Sequence, residues 1–181
     1  PHYVDIYRDS TPHEDRARFY GMITNIDENF GLVETCLENL EIMDNTIVIF
    51  MTDNGTSCLT PDMHTCGLRG TKNSPYDGGH RVPFFLRWPK GSFQSDRDID
   101  QLTSHVDFMP TLMDLCGIDL GAYEHLNFHG KSLKLLITSP NAPWQERIIV
   151  TDSQRLPNPV KWRQSAVMSQ QWRLINGSEL Y

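Results

Sequence analysis

Thr46-Ile47-Val48-Ile49-Phe50-Met51-Thr52 runs directly into Asp53-Asn54-Gly55, and this junction decides the fold. A continuous apolar and β-branched run of that length, closed by turn residues, predicts a strand buried on both faces, as in a parallel sheet. In open α/β sheets, ligands bind just beyond the carboxyl ends of strands. An Asp and an Asn at that point offer two hard oxygen donors to a divalent cation, and Gly55 lets the chain turn away. The same triplet is an ordinary turn signal, so the metal reading needs support from the rest of the chain.

Upstream, a long helix is expected. Thr11-Pro12-His13-Glu14 has the form of a capping box, with Thr11 as N-cap and Pro12 at the first helical position. Phe19, Met22, Ile23, Ile26, Phe30, Val33, Cys36, Leu37 and Leu40 then recur every three or four residues as one apolar stripe. Asp15, Arg16, Asp27, Glu28 and Glu34 mark the solvated face, and His13 reads as an exposed first-turn residue. A helix followed by a buried strand is half of a βαβ unit, so the fold class is α/β.

Downstream, residues 55–79 are polar and rich in turn formers. A loop this long inside a compact domain is uncommon unless it is functional or disordered. A strand resumes over Arg81–Trp88, with Pro83 near its start, where a missing donor is tolerable. Val106, Met109, Leu112, Met113 and Cys116 outline a second helix over residues 104–116, regular from about Met109 and ended by Gly117. Residues 119–146 look irregular apart from a helical piece at 132–136. Ile148–Thr151 is a short strand, and 165–169 with 172–175 form an antiparallel hairpin.

The chain has 181 residues, 39% apolar and 22% charged, which is ordinary for a folded domain and excludes disorder as the default. Sixteen basic residues stand against 23 acidic ones, a net charge of −7 with no basic stripe. Nucleic acid is therefore not an expected partner. No stretch approaches the length of a membrane span. Cys36, Cys58, Cys66 and Cys116 show no zinc-like spacing. Cys36 and Cys116 lie on apolar helix faces and are expected as core thiols, while Cys58 and Cys66 flank one loop and leave a disulfide open.

The long loop carries Leu68-Arg69-Gly70-Thr71-Lys72 and then Tyr76-Asp77-Gly78-Gly79-His80-Arg81-Val82-Pro83. Its glycines allow close backbone approach of the kind anion sites need. Lys72 is a point-charge donor for one oxygen of a sulfate or phosphate. Beside a cation held by Asp53 and Asn54, it would stabilise charge developing on a transferred group. The plain alternative is that Lys72 and Arg69 are surface charges.

These pieces, with Phe84-Phe85-Leu86-Arg87-Trp88-Pro89, His105-Val106-Asp107-Phe108-Met109-Pro110-Thr111-Leu112, His129-Gly130-Lys131-Ser132-Leu133 and the closing Trp172-Arg173-Leu174-Ile175 and Glu179-Leu180-Tyr181, resemble the second half of a sulfatase. This family is the formylglycine-dependent branch of the alkaline phosphatase superfamily. The resemblance implies part of an alkaline-phosphatase-like sandwich, with a mostly parallel or mixed central sheet flanked by helices and a small antiparallel C-terminal sheet. Residues 1–145 would belong to the catalytic domain and 146–181 would begin the small subdomain.

The resemblance further implies that Asp53 and Asn54 are metal ligands, for Ca²⁺ or alternatively Mg²⁺, with Asn54 also close to the nucleophile. Lys72 would contact the sulfate and the leaving oxygen, as both catalytic and substrate-binding residue. Pro1-His2 matches the family's Pro-His element, which makes His2 a candidate catalytic residue, although the spacing from His2 to Tyr3 is shorter than the family's. His80 and Arg81 read as structural, and His105 and Asp107 as capping or loop-packing residues. The substrate would be a sulfated small molecule or glycan, and the compartment periplasmic, secreted or lysosomal.

Two departures qualify the match. No cysteine heads the C/S-x-P/A-x-R motif from which formylglycine is made, and the aspartate pair that completes the family's metal site is absent. The chain therefore reads as a fragment without turnover of its own, with the missing N-terminal half as its partner. A phosphoester or phosphonate hydrolase of the same superfamily and a non-catalytic binding module remain as alternatives.

Overall fold

The computed structural model describes residues 2–58, 60, 63–91, 93, 96–139 and 141–181, leaving aside the Glu124 side chain. Pro1 of the Pro-His element, and Leu59, Pro61 and Asp62 of the loop after Asp53-Asn54, lie outside them. Two compact units emerge, Pro1–Leu86 and Arg87–Tyr181.

In the first unit a short helix, α1 (His2–Asp5), packs on the long helix α2 (Glu14–Asn39). Contact is close because Gly21 has no side chain: a Cβ there would lie 3.0 Å from the Tyr3 carbonyl. Tyr3 Oη donates to Glu28 (2.6 Å), and the Tyr7 and Thr24 hydroxyls meet at 2.6 Å. The helix starts later than the Thr11 capping box predicts. Thr11 is buried and its hydroxyl accepts from the His13 amide (3.3 Å), closing a small turn, so His13 occupies the N-cap with no side-chain cap bond. The local hydroxyl-to-backbone bond competes with the capping geometry and wins.

The strand after the helix is β1 (Val48–Met51), paired in a two-stranded sheet with β2 (Phe84–Arg87). Phe30 of α2 meets Phe50 of β1 edge-on at 5.6 Å, and Phe50 meets Phe85 of β2 at 6.4 Å. This aromatic ladder joins helix and sheet. The expectation of a strand buried on both faces is corrected: Val48, Ile49 and Phe50 are half-buried and Met51 is exposed. Likewise much of the α2 stripe is uncovered, with Met22 58% and Val33 53% exposed. Cys36 is exposed rather than a core thiol. One helix and two strands cannot cover each other's second faces, so apolar periodicity exceeds the burial achieved within these residues.

The second unit is built around α4 (Phe108–Leu115), α5 (Lys134–Thr138) and a four-stranded antiparallel sheet, β3 (Ile149–Asp152), β4 (Ser165–Met168), β5 (Arg173–Ile175) and β6 (Glu179–Leu180), in sequential order. A single helical turn, α3 (Asp77–His80), lies earlier in the chain. Met113, Leu115, Leu133, Leu136, Ile137, Ala166, Met168 and Ile175 form the buried set. The expected hairpin is present, with Ala166 opposite Ile175 and Val167 opposite Leu174. Gly117 ends α4 at φ +72°, as expected. Cys116, expected in the core, is exposed at the helix end.

Asp107 holds this unit together. It is completely buried, accepts from the amides of Ser104 (2.8 Å) and Lys131 (2.9 Å), and pairs with both terminal nitrogens of Arg147, Nη1 at 2.7 Å. Arg147 also donates to the Leu102 carbonyl at 3.0 and 3.1 Å. Gln170 clamps the same segment, accepting from the Leu102 amide and donating to the Asp100 carbonyl, each at 2.7 Å. Burial by itself raises the Asp107 pKa, but the Arg147 hydrogen bonds and the Lys131 and Ser104 amides outweigh it, so the carboxyl sits below its ordinary value.

Removing one partner of such a buried pair leaves an uncompensated charge. Asp107→Asn is expected to cost about 3–5 kcal/mol in urea unfolding, and Asp114→Asn, whose partners Ser132 and Lys134 are only part-buried, much less. Because the folded pKa of Asp107 is depressed, its contribution is complete above the unfolded value and is lost as pH falls through the folded one. Wild type should therefore lose more stability than Asp107→Asn as the pH is lowered through and below the ordinary carboxylate range.

Candidate active site

Three stretches separated in sequence but linked by backbone hydrogen bonds converge after β1. The Gly55 amide donates to the Gly79 carbonyl (3.0 Å), the Lys72 amide to the Thr56 carbonyl (2.9 Å), and the Gly78 amide to the Arg69 carbonyl (2.8 Å). Asp53-Asn54, Arg69–Lys72 and Tyr76–His80 are thereby tied into one corner. The approach is possible only without side chains. A Cβ on Gly55 would lie 1.8 Å from the Gly78 carbonyl oxygen, and one on Gly78 would lie 2.2 Å from that of Gly70.

Local side chains shape the loop between these contacts. The Ser74 hydroxyl accepts from the Thr71 amide (3.0 Å), and the Ser74 amide returns to the Thr71 carbonyl (2.9 Å), which turns the chain straight after Lys72. The Arg69 guanidinium stacks 4.0 Å above the Tyr76 ring. His80 is half-buried, its Nε2 3.1 Å from the Pro75 carbonyl and 3.9 Å from Asp77, in keeping with its structural reading. Beyond the corner, Arg16 Nε donates to Thr60 (2.9 Å), fastening the loop after Asn54 to the first turn of α2.

Asp53 and Lys72 are exposed and Asn54 is half-buried. Among the described residues, no hydrogen bond or ion pair engages the side chain of any of the three. Oxygens at Asp53 and Asn54 and an ammonium at Lys72 are thus unspent, on segments that backbone bonds tie together. No group of three or more His, Cys, Asp or Glu able to hold a metal occurs among the described residues; what the Asp53 and Asn54 side chains offer is oxygen atoms without a partner among those residues. His2 is exposed on α1, its ring 3.9 Å from that of Tyr3, and no hydrogen bond among the described residues joins it to the corner. Cys58 and Cys66 are both free thiols.

The backbone partners were not legible beforehand. Thr56, Ser74 and Pro75 act through main-chain atoms or a short hydroxyl bond, which residue type alone does not announce. The only signal was the density of glycine between 67 and 79.

The family profile described as Sulfatase matches residues 1–118, and that of the C-terminal part of N-sulphoglucosamine sulphohydrolase matches residues 71–178. The chain belongs to the sulfatase family. It is 33% identical over 135 residues to an arylsulfatase of Clostridium perfringens, covering 74% of this chain and 26% of that protein. It is 36% identical over 102 residues to an endo-4-O-sulfatase of Bacteroides thetaiotaomicron, covering 55% of this chain and 18% of that protein. Among solved structures, Ps i-CgsB superposes with a TM-score of 0.78 at 23% identity, over 99% of this chain and 39% of that one. That likeness establishes an alkaline-phosphatase-like α/β fold with its small antiparallel sheet. The chain spans between 18% and 26% of the length of these two curated relatives.

The glycine contacts predict a sharp asymmetry. Gly55→Ala should destabilise the first unit by about 3 kcal/mol or more, because the clash is with backbone. Gly31→Ala, at a position inside α2 where a Cβ meets nothing within 4 Å, should stabilise it by up to about 1 kcal/mol. Thermal unfolding of the two variants checks the order.

Proposed function

We propose that this chain contributes the metal-and-sulfate corner of an enzyme that hydrolyses sulfate esters. The observation that carries the reading is the glycine-built corner, which joins Asp53-Asn54 to Lys72 through Lys72 N–H···O=C Thr56 and Gly55 N–H···O=C Gly79. Membership of the sulfatase family supports it.

The unspent oxygens of Asp53 and Asn54 suit a hard cation such as Ca²⁺ or Mg²⁺. When bound, such a cation supplies Lewis-acid stabilisation of negative charge on sulfate oxygens. Lys72 would add a second positive charge against the same group and against the leaving oxygen as the S–O bond breaks. His2 is the candidate donor of a proton to the departing alcohol. The nucleophile, a formylglycine in this reading, lies outside these residues, and so does the rest of the ligand shell. The chain by itself would therefore bind metal weakly and turn over nothing. The uncovered apolar face of α2 is where the remaining sheet and helices of the catalytic domain would pack. By resemblance to the family, the compartment would be periplasmic, secreted or lysosomal.

The intact protein should hydrolyse 4-nitrophenyl sulfate well ahead of 4-nitrophenyl phosphate, lose activity to chelator, and regain it with Ca²⁺ or Mg²⁺. Lys72→Met should lower kcat on the order of a hundredfold, while Asp53→Asn should raise the metal concentration needed for half-activity. A preference for the phosphate ester, or full activity in Lys72→Met, would sink the reading.

A further inference from the structure

The second unit carries a feature that the catalytic corner does not use. The connection between β3 and β4, residues 153–164 (Ser-Gln-Arg-Leu-Pro-Asn-Pro-Val-Lys-Trp-Arg-Gln), holds Arg155, Lys161 and Arg163 and no acidic residue, in a chain whose net charge is −7. All three cations are exposed, and among the described residues none of them is ion-paired. Trp162 stands between two of them and is 43% exposed, with the Lys161 ammonium 5.4 Å from its ring centre.

This loop is held rigidly. Its ends are closed by the Ser153 amide donating to the Gln164 carbonyl (3.1 Å). Inside it, the Gln154 side chain bonds Val160 twice, accepting from its amide (2.7 Å) and donating to its carbonyl (2.9 Å). Asp152 in turn fixes Gln154, accepting from its amide (2.8 Å) and from its side-chain amide (2.6 Å). Trp162 has φ +66°, a left-handed conformation that a bulky residue rarely adopts and that persists only where surroundings impose it. What imposes it is the β5–β6 turn: the indole lies on Gly177, where a Cβ would come within 2.6 Å of the ring.

Ordering a loop before it binds removes the entropy cost of ordering it on binding. A preorganised aromatic plane with the Lys161 ammonium 5.4 Å from its centre, in a loop that carries two further unpaired cations, fits a ligand with an apolar ring face and several anionic substituents. We propose that this loop is a binding surface for a sulfated glycan, with Trp162 against a sugar ring and Arg155, Lys161 and Arg163 against its sulfates or carboxylates. The choice of a glycan rests on the sulfatase reading; the site itself does not. Nucleic acid is disfavoured because the chain carries no extended basic stripe and a net charge of −7, so that as a whole it would repel a long polyanion.

The test is calorimetric titration of the intact protein with chondroitin 4-sulfate tetrasaccharide, its desulfated form and a single-stranded DNA oligonucleotide. The expected result is binding of the sulfated tetrasaccharide that weakens with added NaCl. Arg155→Ala/Lys161→Ala/Arg163→Ala should lower that affinity about tenfold or more and flatten its salt dependence, with an unchanged unfolding midpoint. Trp162→Phe should keep most of the affinity, and Trp162→Ala should lower it about tenfold while the binding that remains keeps its salt dependence. Wild-type affinity in the triple variant, equal binding of the desulfated form, or equal binding of DNA would overturn the proposal. Hydrolysis of an aryl sulfate by the same preparations tests the catalytic reading separately, so the two can fail independently.

Discussion

The contact between Gly55 and Gly78 constrains most of what the first unit can do. A backbone carbonyl occupies the space where any side chain at Gly55 would begin, and the adjoining amide of Gly55 is bonded to Gly79. The chain just after β1 and the α3 turn are thus pressed together main chain to main chain, and the segment carrying Lys72 is bonded one residue beyond Gly55. Functional groups on separate loops ordinarily pay for their alignment in conformational entropy. Here the alignment is built into backbone contacts that do not depend on which side chains line the site.

The two units solve their packing differently. The first relies on an aromatic ladder, Phe30 to Phe50 to Phe85, and leaves the rest of the α2 stripe uncovered. In the second, the segment leading to α4 has no sheet partner, and charged and amide side chains take the place of a ladder. Arg147 and Gln170 satisfy the Leu102 carbonyl and amide, and Arg147 at the same time neutralises Asp107. A fully satisfied buried pair of this kind adds specificity of arrangement as much as stability.

Legibility followed the range of the forces involved. The β4–β5 hairpin was readable because alternation of faces and a short turn are local signals, and the end of α4 because Gly117 adopts a conformation glycine favours. The role of Asp107 was readable in kind, as capping and loop packing, but its partner Arg147 lies 40 residues away and no local pattern names it. The Thr11 capping box failed because the hydroxyl had a nearer amide to serve. Cys36 failed because periodicity reports which face is apolar, not whether anything covers it. Nothing local marks Trp162, whose left-handed backbone conformation and seat on Gly177 are set by the β5–β6 turn.

The amino-acid sequence by itself determined the α/β class, the helix–strand order, the family, and the identity of Asp53, Asn54 and Lys72 as the candidate site residues. The class and the element order are written in residue type and spacing, which short-range sterics and hydrophobic periodicity translate directly, while the family and the candidate residues were legible through resemblance of linked motifs to a known family. Tertiary structure alone decided that Asp53-Asn54 and Lys72 share one corner, that Asp107 is neutralised by Arg147, and that the β3–β4 loop is locked with its cations unpaired. Those outcomes depend on which distant backbone and side-chain groups meet, and only the folded chain selects among the many partners that composition permits.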